Sequence, residues 1–177
     1  MTAKSPHTTQ QGLPPVTTAQ VGVDYPGVTV SFLCHDGEGN FVFNKRSVRC
    51  RDEHGRWDCG GGRLEWGDHV ENRLRQEIKE EYGADVRMSE FLGYREAHRI
   101  NPQGKPTHWI SLDFLVWVDR TQVHNAEPAK FDAVEWFTLD ALPQPQHSLL
   151  SKLWDQYGEK LRQVGQSSKK KPLPSDA

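Results

Sequence analysis

The stretch from Gly60 to Ala84 constrains the fold of this chain more than any other, because a run of glycines leads directly into a helix-forming segment. The last turns of that segment carry three glutamates, Glu77, Glu80 and Glu81. Their i, i+3, i+4 spacing places the carboxylates on one face of an α-helix, with Cβ atoms roughly 5–6 Å apart. Carboxylates this close repel each other unless a proton or a cation lies between them. The stretch therefore predicts either a cation site or a solvated acidic helix face.

The ligand types indicate which cation would fit this face. Clustered carboxylate oxygens without Cys or His suit Mg²⁺ or Mn²⁺, ions that also bind phosphates. The eight histidines show no H-x-x-x-H pair and the three cysteines show no C-x-x-C spacing, so the sequence contains no zinc motif. We therefore expect Mg²⁺, with Mn²⁺ as the alternative, as the cofactor.

Composition and charge exclude several classes of protein. The 177 residues are enough for one domain of about 150 residues and its tails. A net charge of −2 and a pI near 6.4 offer no electrostatic argument for binding nucleic acid or a membrane surface. There is no long apolar run and no secretory signal pattern, and the three cysteines are typical of reduced thiols. We therefore expect a cytoplasmic protein with no stable nucleic-acid or membrane partner.

The apolar pattern predicts strands before and after a central helix. We expect a disordered leader over residues 1–24, one domain over residues 25–164 and a polar tail over residues 165–177. Strands are predicted at Val28–Leu33, Phe41–Arg46, Val86–Arg99, His108–Val118 and Val134–Phe137, and a second helix at Leu149–Val164. This order indicates an α/β (α+β) fold, a sandwich built on a mixed sheet with flanking helices.

The central helix is predicted to begin near Asp68. The Asp68 carboxylate is an N-cap candidate, and Glu71 three residues later would complete a pair similar to a capping box. Leu74 and Ile78 lie four residues apart and belong to the predicted buried face, and Gly83 ends the helix.

This central stretch resembles the Nudix box, G-x5-E-x7-R-E-U-x-E-E-x-G-U, in which U is a bulky aliphatic residue. The residues in register are Gly62, Glu77, Ile78, Glu80, Glu81 and Gly83. Three positions depart from the pattern: Asp68 replaces glutamate, Gln76 replaces arginine, and Ala84 replaces a larger aliphatic residue. Arg75 precedes the family's arginine position by one residue, which is about 100° around a helix. The resemblance, to MutT-type members, extends over Tyr25–Tyr157.

The resemblance implies an α/β/α sandwich and a Mg²⁺- or Mn²⁺-dependent hydrolase that cleaves the diphosphate linkage of nucleoside diphosphate derivatives. Within that class we expect a nucleoside triphosphate pyrophosphohydrolase that releases NMP and pyrophosphate. The alternatives are a sugar-nucleotide or ADP-ribose diphosphatase and a catalytically weak nucleotide-binding module, which the substitutions at Gln76 and Asp68 would suit. The expected partner is a nucleotide, and a homodimer is expected by analogy with similar proteins.

The same resemblance implies roles for individual residues. The implied metal ligands are Glu77, Glu80, Glu81 and the carbonyl of Gly61. The implied catalytic residues are Glu77, Glu80 and Glu127. The general base is either Glu77 or a carboxylate of the opposite loop and strand, namely Glu127, Asp132 or Glu135. The residues expected to support the metal ligands are Asp68, Gln76 and Arg75.

A multi-anionic substrate also needs cations and, for its base, an aromatic surface. The residues predicted to bind the substrate are Arg46, Lys45, Tyr25, Trp57 and His108. Trp109 and Phe137 are further aromatic candidates, and each aromatic residue has a place in the core as its alternative.

Overall fold

The structure is a computed structural model that describes residues 18–165. The strands in this range are β1 Gly27–His35, β2 Asn40–Arg46, β3 Trp57–Asp58, β4 Gly60–Arg63, β5 Val86–Ile100, β6 Pro106–Val118 and β7 Phe131–Thr138. The α-helices are α1 Val70–Tyr82 and α2 Leu150–Leu161, and a short 3₁₀ turn spans Leu139–Ala141. The predicted strands and helices are therefore present, with bounds that differ by a few residues.

The strands form one mixed sheet with the order β3-β2-β1-β6-β5, in which β4 also pairs with β1 and β7 with β2. Strand β1 runs parallel to β6, from Gly27 opposite Trp109 to His35 opposite Trp117. The other pairings are antiparallel. The register of strand β5 shifts between Val86 and Met88 and again between Phe91 and Gly93. The predicted mixed sheet is thus confirmed.

One helix packs on each face of this sheet. Helix α1 buries Leu74, Ile78 and Tyr82 among residues of β1, β2 and β6. Helix α2 buries its own apolar face against the other side of the sheet, including Phe41 and Phe43 of β2. Each fully buried side chain of this size stabilises the fold by roughly 1.5–3 kcal/mol. The two cores confirm the predicted α/β/α sandwich.

The start of α1 differs from the prediction. Its N-cap is His69, whose side chain makes no capping hydrogen bond. The Asp68 carboxylate instead accepts a hydrogen bond from the backbone N–H of Glu65 at 2.9 Å, within the loop that precedes the helix. The predicted Asp68–Glu71 capping pair is therefore wrong, because Asp68 stabilises the loop. The predicted end is confirmed, since Gly83 adopts φ 68° and donates its N–H to the Lys79 carbonyl.

Residues just before Tyr25 already pack on the sheet. The backbone of Gly22 donates to the carbonyl of Tyr25 at 2.7 Å and accepts from the N–H of His108 at 2.8 Å. A Cβ on Gly22 would lie 2.6 Å from the Trp109 ring, so this turn needs a glycine. The predicted boundary at residue 25 falls inside this turn. Most of the predicted leader and tail lies outside the described residues.

None of the helices described here is long and apolar enough to span a membrane.

Candidate metal centre and adjoining cavity

The glycine run forms β4, which lies between β1 and α1. A Cβ on Gly62 would lie 1.8 Å from Oε1 of Glu77, so only a residue without a side chain lets the helix approach this closely. The backbone N–H of Gly61 donates to Oε2 of Glu81 at 3.2 Å. The glycine run therefore brings the backbone of β4 into contact with the acidic face of α1.

The three glutamates of α1 differ in their surroundings. Glu77 and Glu81 are 4 % and 1 % exposed, whereas Glu80 is exposed to solvent. Burial raises the pKa of Glu77, although the nearby Arg73 guanidinium opposes this shift. Burial likewise raises the pKa of Glu81, to about 8, against the opposing effect of Lys130. Two buried carboxylates that resist ionisation favour a bound cation, which would stabilise their charged form.

Each of these carboxylates has a partner in the structure. Arg73 forms an ion pair with Glu77 on the same helix. Nε2 of Gln76 donates to Oε1 of Glu80 at 2.7 Å. The third partner is Lys130, whose Nζ lies 2.6 Å from Oε1 of Glu81.

The donor set fits a hard cation such as Mg²⁺ or Mn²⁺, because every candidate ligand atom is an oxygen. The fit requires side chains to move. Within residues 18–165, the three glutamate carboxylates are not gathered within 4.8 Å of one another. For Glu77 and Glu81 to share an ion, the Lys130 arm must turn away and Glu80 must turn in from solvent, whereas Arg73 can stay on Oε1 of Glu77 and leave the other oxygen to the ion.

Arg73, and not Arg75, supplies the arginine next to the buried glutamate. Arg75 lies on the exposed side of α1 and donates to the carbonyl of Val86 at 3.3 Å. Sequence reasoning missed Arg73, although an Arg–Glu pair at i, i+4 is a local signal that could have identified it. Gln76 cannot form an ion pair with Glu77, and Arg73, about one helical turn earlier, forms it instead.

Lys130 links the loop before β7 to the acidic face of α1. Its Nζ lies 3.2 Å from Oε2 of Glu127, so one ammonium group contacts both Glu127 and Glu81. Burial lowers the pKa of Lys130, but the two carboxylates outweigh this effect and raise the pKa above its usual value. Asp132 and Glu135 are exposed on β7. Of the loop carboxylates proposed from the sequence, Glu127 is therefore the one linked to the acidic face.

A cavity of about 430 Å³ opens beside β4, and its lining includes Glu81 and Lys130. Seven lining residues are basic and four are acidic, although the whole chain carries a net charge of −2. The basic residues are Arg46, Arg51, Arg63, Arg95, Arg99, Lys130 and Lys152. The cavity is thus locally cationic and suits an anionic ligand.

Most of the cavity's arginines are held in place by carboxylates. Arg46 contacts Asp52 at 3.0 Å and Asp58 at 3.3 Å. Arg99 contacts the same Asp52 at 3.3 Å. Arg95 makes two hydrogen bonds to the buried Asp113, at 2.7 and 2.8 Å. Their positions are therefore set before any ligand arrives.

Arg51 is held more loosely than these arginines, with its Nε 3.7 Å from Oδ2 of the same Asp52. Its guanidinium carbon lies 5.4 Å from the centroid of the Trp109 ring, and its side chain is 63 % exposed. A cation over an aromatic face is a favourable but weak contact at an exposed site. The Arg51 side chain can therefore still rearrange around a ligand.

The structure brings together only part of the predicted substrate site. Arg46 lines the cavity, whereas Lys45, Tyr25, Trp57 and His108 do not. The Trp57 ring packs in the core against Phe137, with ring centroids 5.1 Å apart. Sequence reasoning missed Arg95 and Arg99. Both reach the cavity from β5, whose local sequence gives no signal of a site.

Comparison with known proteins agrees with this geometry. The family profile described as NUDIX domain matches residues 25–157. A MutT NUDIX hydrolase from Burkholderia pseudomallei is 27 % identical, with a TM-score of 0.62, over 74 % of this chain and 97 % of that one. The NUDIX domain of Shewanella oneidensis NrtR, solved in complex with ADP ribose, is 18 % identical with a TM-score of 0.62, over 77 % of this chain and 88 % of that one. The second likeness supports the fold alone.

Proposed function

This chain belongs to the Nudix hydrolase family, and we propose that it is a Mg²⁺-dependent enzyme that cleaves the diphosphate linkage of a nucleoside diphosphate derivative. Within that class we propose a nucleoside triphosphate pyrophosphohydrolase that releases NMP and pyrophosphate. The observation that carries the proposal is the position of Glu81, buried on α1 and facing a cavity in which basic residues outnumber acidic ones.

Glu77, Glu80 and Glu81 would hold the metal, together with the backbone carbonyl of Gly61. A bound Mg²⁺ would supply a Lewis acid for the phosphate oxygens and lower the pKa of a coordinated water. The protein contributes the rigid placement of the ligands, because α1 is packed on the sheet and β4 lies directly against the helix. Lys130 would keep its contact with Glu127 when a metal replaces its ammonium group beside Glu81.

Glu127 is our candidate for the general base. Its carboxylate contacts the ammonium group that also contacts Glu81, so it lies at the edge of the proposed metal centre. There it can accept a proton from the attacking water through a side-chain oxygen. Glu77 is the alternative base, as the sequence indicated.

We propose that Arg46 and Arg99 bind substrate phosphates. Both share Asp52, so a phosphate entering the cavity would meet two guanidinium groups whose positions are already set. Guanidinium groups bind phosphate oxygens through paired N–H donors. A triphosphate offers more negative charge to this wall than ADP-ribose does, and the Burkholderia relative is a MutT hydrolase. An ADP-ribose or sugar-nucleotide diphosphatase is the second candidate within this class.

A non-catalytic nucleotide-binding module is the alternative of a different class. Its sequence support is Gln76 at the position of the family arginine and Asp68 at the position of a family glutamate. The ion pair between Arg73 and Glu77 weakens this argument, because an arginine does contact the buried glutamate.

The test is an assay of the full chain with Mg²⁺ and a panel of dNTPs, NTPs, ADP-ribose and sugar nucleotides, with separate detection of pyrophosphate and orthophosphate. We expect NMP and pyrophosphate from a triphosphate, and none from a Glu81→Gln preparation made in parallel. Turnover of ADP-ribose alone would favour the second candidate. Nucleotide binding without turnover of any compound would favour the binding module.

The cytoplasmic location and the homodimer stay predictions. Sedimentation of the purified chain over a range of concentrations measures its oligomeric state directly.

A further inference from the structure

Three potential metal ligands lie together on the hairpin formed by β5 and β6. His98 and His108 are directly opposite each other in the antiparallel register, and Glu96 precedes His98 by two residues on the same strand. Residues at i and i+2 of a strand, and the residue opposite either of them, point to the same face of a sheet. The three side chains therefore share one face.

The distances within this trio, Glu96, His98 and His108, are close to those of a metal site. One ligand atom from each residue lies within 4.8 Å of the other two. Nε2 of His98 is 3.6 Å from Oε2 of Glu96, and the two imidazoles stack with centroids 4.2 Å apart. Tetrahedral bonds of about 2.0–2.2 Å need ligand atoms about 3.3–3.6 Å apart. The Glu96 and His98 side chains are 52 % and 65 % exposed, so they have room to make that adjustment.

His108 supplies an independent observation. Its Nε2 atom is buried and has no hydrogen-bond partner among the described residues. A buried polar atom without a partner is unfavourable, and metal coordination at Nε2 would satisfy it.

The two imidazoles of the trio lie away from the proposed diphosphate site, whose cavity Glu96 also borders. Ala97 and Arg99, which alternate with its members along β5, line the cavity, as does Trp109 beside His108. Alternation along a strand therefore directs the His98 and His108 side chains to the opposite face of the sheet. The Glu96 carboxylate lies beside His98 on that face.

We propose that Glu96, His98 and His108 form a second cation site, selective for Zn²⁺ or a similar transition-metal ion over Mg²⁺. Two imidazoles and one carboxylate are ligands that suit zinc, whereas Mg²⁺ prefers oxygen alone. Three protein ligands leave a fourth position for water or another ligand. The ion would tie β5 to β6 behind the part of the cavity wall that carries Arg99.

The test is calorimetric titration of the full chain with Zn²⁺ in a large excess of Mg²⁺, which competes for the carboxylates of α1. We expect His98→Ala and His108→Ala to weaken the tightest zinc binding about tenfold or more, or to remove one equivalent. The matched control is His69→Ala, which removes an exposed imidazole that makes no capping hydrogen bond. His98 is largely exposed, so its variant should fold even if the His108 variant does not.

A second titration separates this site from the α1 carboxylates. In Glu81→Gln protein, the tightest zinc equivalent should persist, and Co²⁺ should give the visible absorption of a site with imidazole ligands. Unchanged zinc affinity in His98→Ala protein would overturn the proposal. The same conclusion follows if His69→Ala weakens binding as much as His98→Ala, or if Glu81→Gln removes the tightest equivalent.

Discussion

The acidic face of α1 and the trio on the β5–β6 hairpin are two candidate cation sites that are assembled in different ways. The α1 carboxylates come from five consecutive residues of one helix, Glu77 to Glu81. The trio joins residues ten positions apart, His98 and His108, through the pairing of two strands. The first site follows from helical periodicity, whereas the second depends on strand register.

The two sites also differ in chemistry and burial. Glu77 and Glu81 are buried, are oxygen ligands and contact Arg73 and Lys130. The trio is more exposed and includes two imidazoles. Hard oxygen ligands beside a cationic cavity suit Mg²⁺ and phosphate, and imidazoles suit a borderline ion. Because the two sites use different ligands, variants of one site should leave metal binding at the other site unchanged.

The largest effect is expected from the α1 carboxylates. Glu80→Gln and Glu81→Gln should each lower Mg²⁺-supported hydrolysis by about 10³-fold or more, because each removes a charged ligand from the metal. Initial rates with the preferred substrate at saturating Mg²⁺ measure this.

The matched control for that prediction is Glu71→Gln, an equal change of charge at an exposed position of the same helix. Rates within about threefold of wild type for Glu80→Gln would rule out the metal assignment of that residue. Circular dichroism checks that Glu81→Gln, a change at a buried position, still folds.

A steric change should have the next largest effect. In Gly62→Ala protein, the new Cβ would meet Oε1 of Glu77 at 1.8 Å and displace that carboxylate. A displacement of about 1 Å near the reacting groups can cost on the order of 10²-fold, so we expect a comparable fall in kcat.

The control for this change is Gly158→Ala on α2, where the nearest atom to a new Cβ is Nη1 of Arg162 at 3.8 Å. That variant should keep its activity and gain up to about 1 kcal/mol of stability, since alanine favours a helix. Thermal unfolding and rates measured on both variants separate a local from a global effect. Equal kcat for Gly62→Ala and wild type would mean that Glu77 does not need this close approach.

A smaller effect is expected from the arginine beside Glu77. Arg73→Met should raise the Mg²⁺ concentration at half-maximal rate about tenfold, because groups that orient a metal ligand affect metal affinity at about that level. Arg75→Met is the matched control, since that side chain is exposed and donates to the Val86 carbonyl, away from Glu77. The measurement is the Mg²⁺ concentration at half-maximal rate. An equal response to both substitutions would contradict the assignment.

Restoring the family arginine should change little. Gln76→Arg would raise kcat if the missing arginine limited the site. Because Arg73 already pairs with Glu77, we expect kcat within about twofold of wild type. A large increase in kcat would show that Arg73 does not replace the missing group.

The smallest effect tests the separation of the two sites. His98→Ala should leave Mg²⁺-supported hydrolysis within about twofold of wild type, because its imidazole lies on the face of the sheet opposite the cavity. A loss as large as that of Gly62→Ala would mean that the two regions are not independent.

Much of the fold could be predicted from the sequence, because its elements depend on local patterns. Phe41 and Phe43 alternate with Val42 in the sequence, and the structure packs them on opposite faces of the sheet. Leu74 and Ile78 recur at the helical period and are buried. The start of α1 was less predictable, since Asp68 had a second partner available in the preceding loop.

The site was only partly predictable, because some of its contacts join residues that are far apart in the sequence. The position of the α1 glutamates beside the glycine strand follows from a contiguous pattern, and the family match agrees with it. Lys130, by contrast, is 49 residues from Glu81, and nothing in its local sequence marks it as a partner. Trp57 was a candidate to contact substrate, yet its ring packs in the core because β3 turns it toward Phe137.

The sequence by itself determined the elements, the sandwich and the acidic helix face, because each depends on residues within one or two turns or along one strand. The tertiary structure decided which cations contact that face, which arginines line the cavity, and that His98 meets His108. These features depend on strand register and on loops that close over long separations. A shift of one residue in the β5–β6 register would move His98 away from His108 without changing the local pattern of either strand.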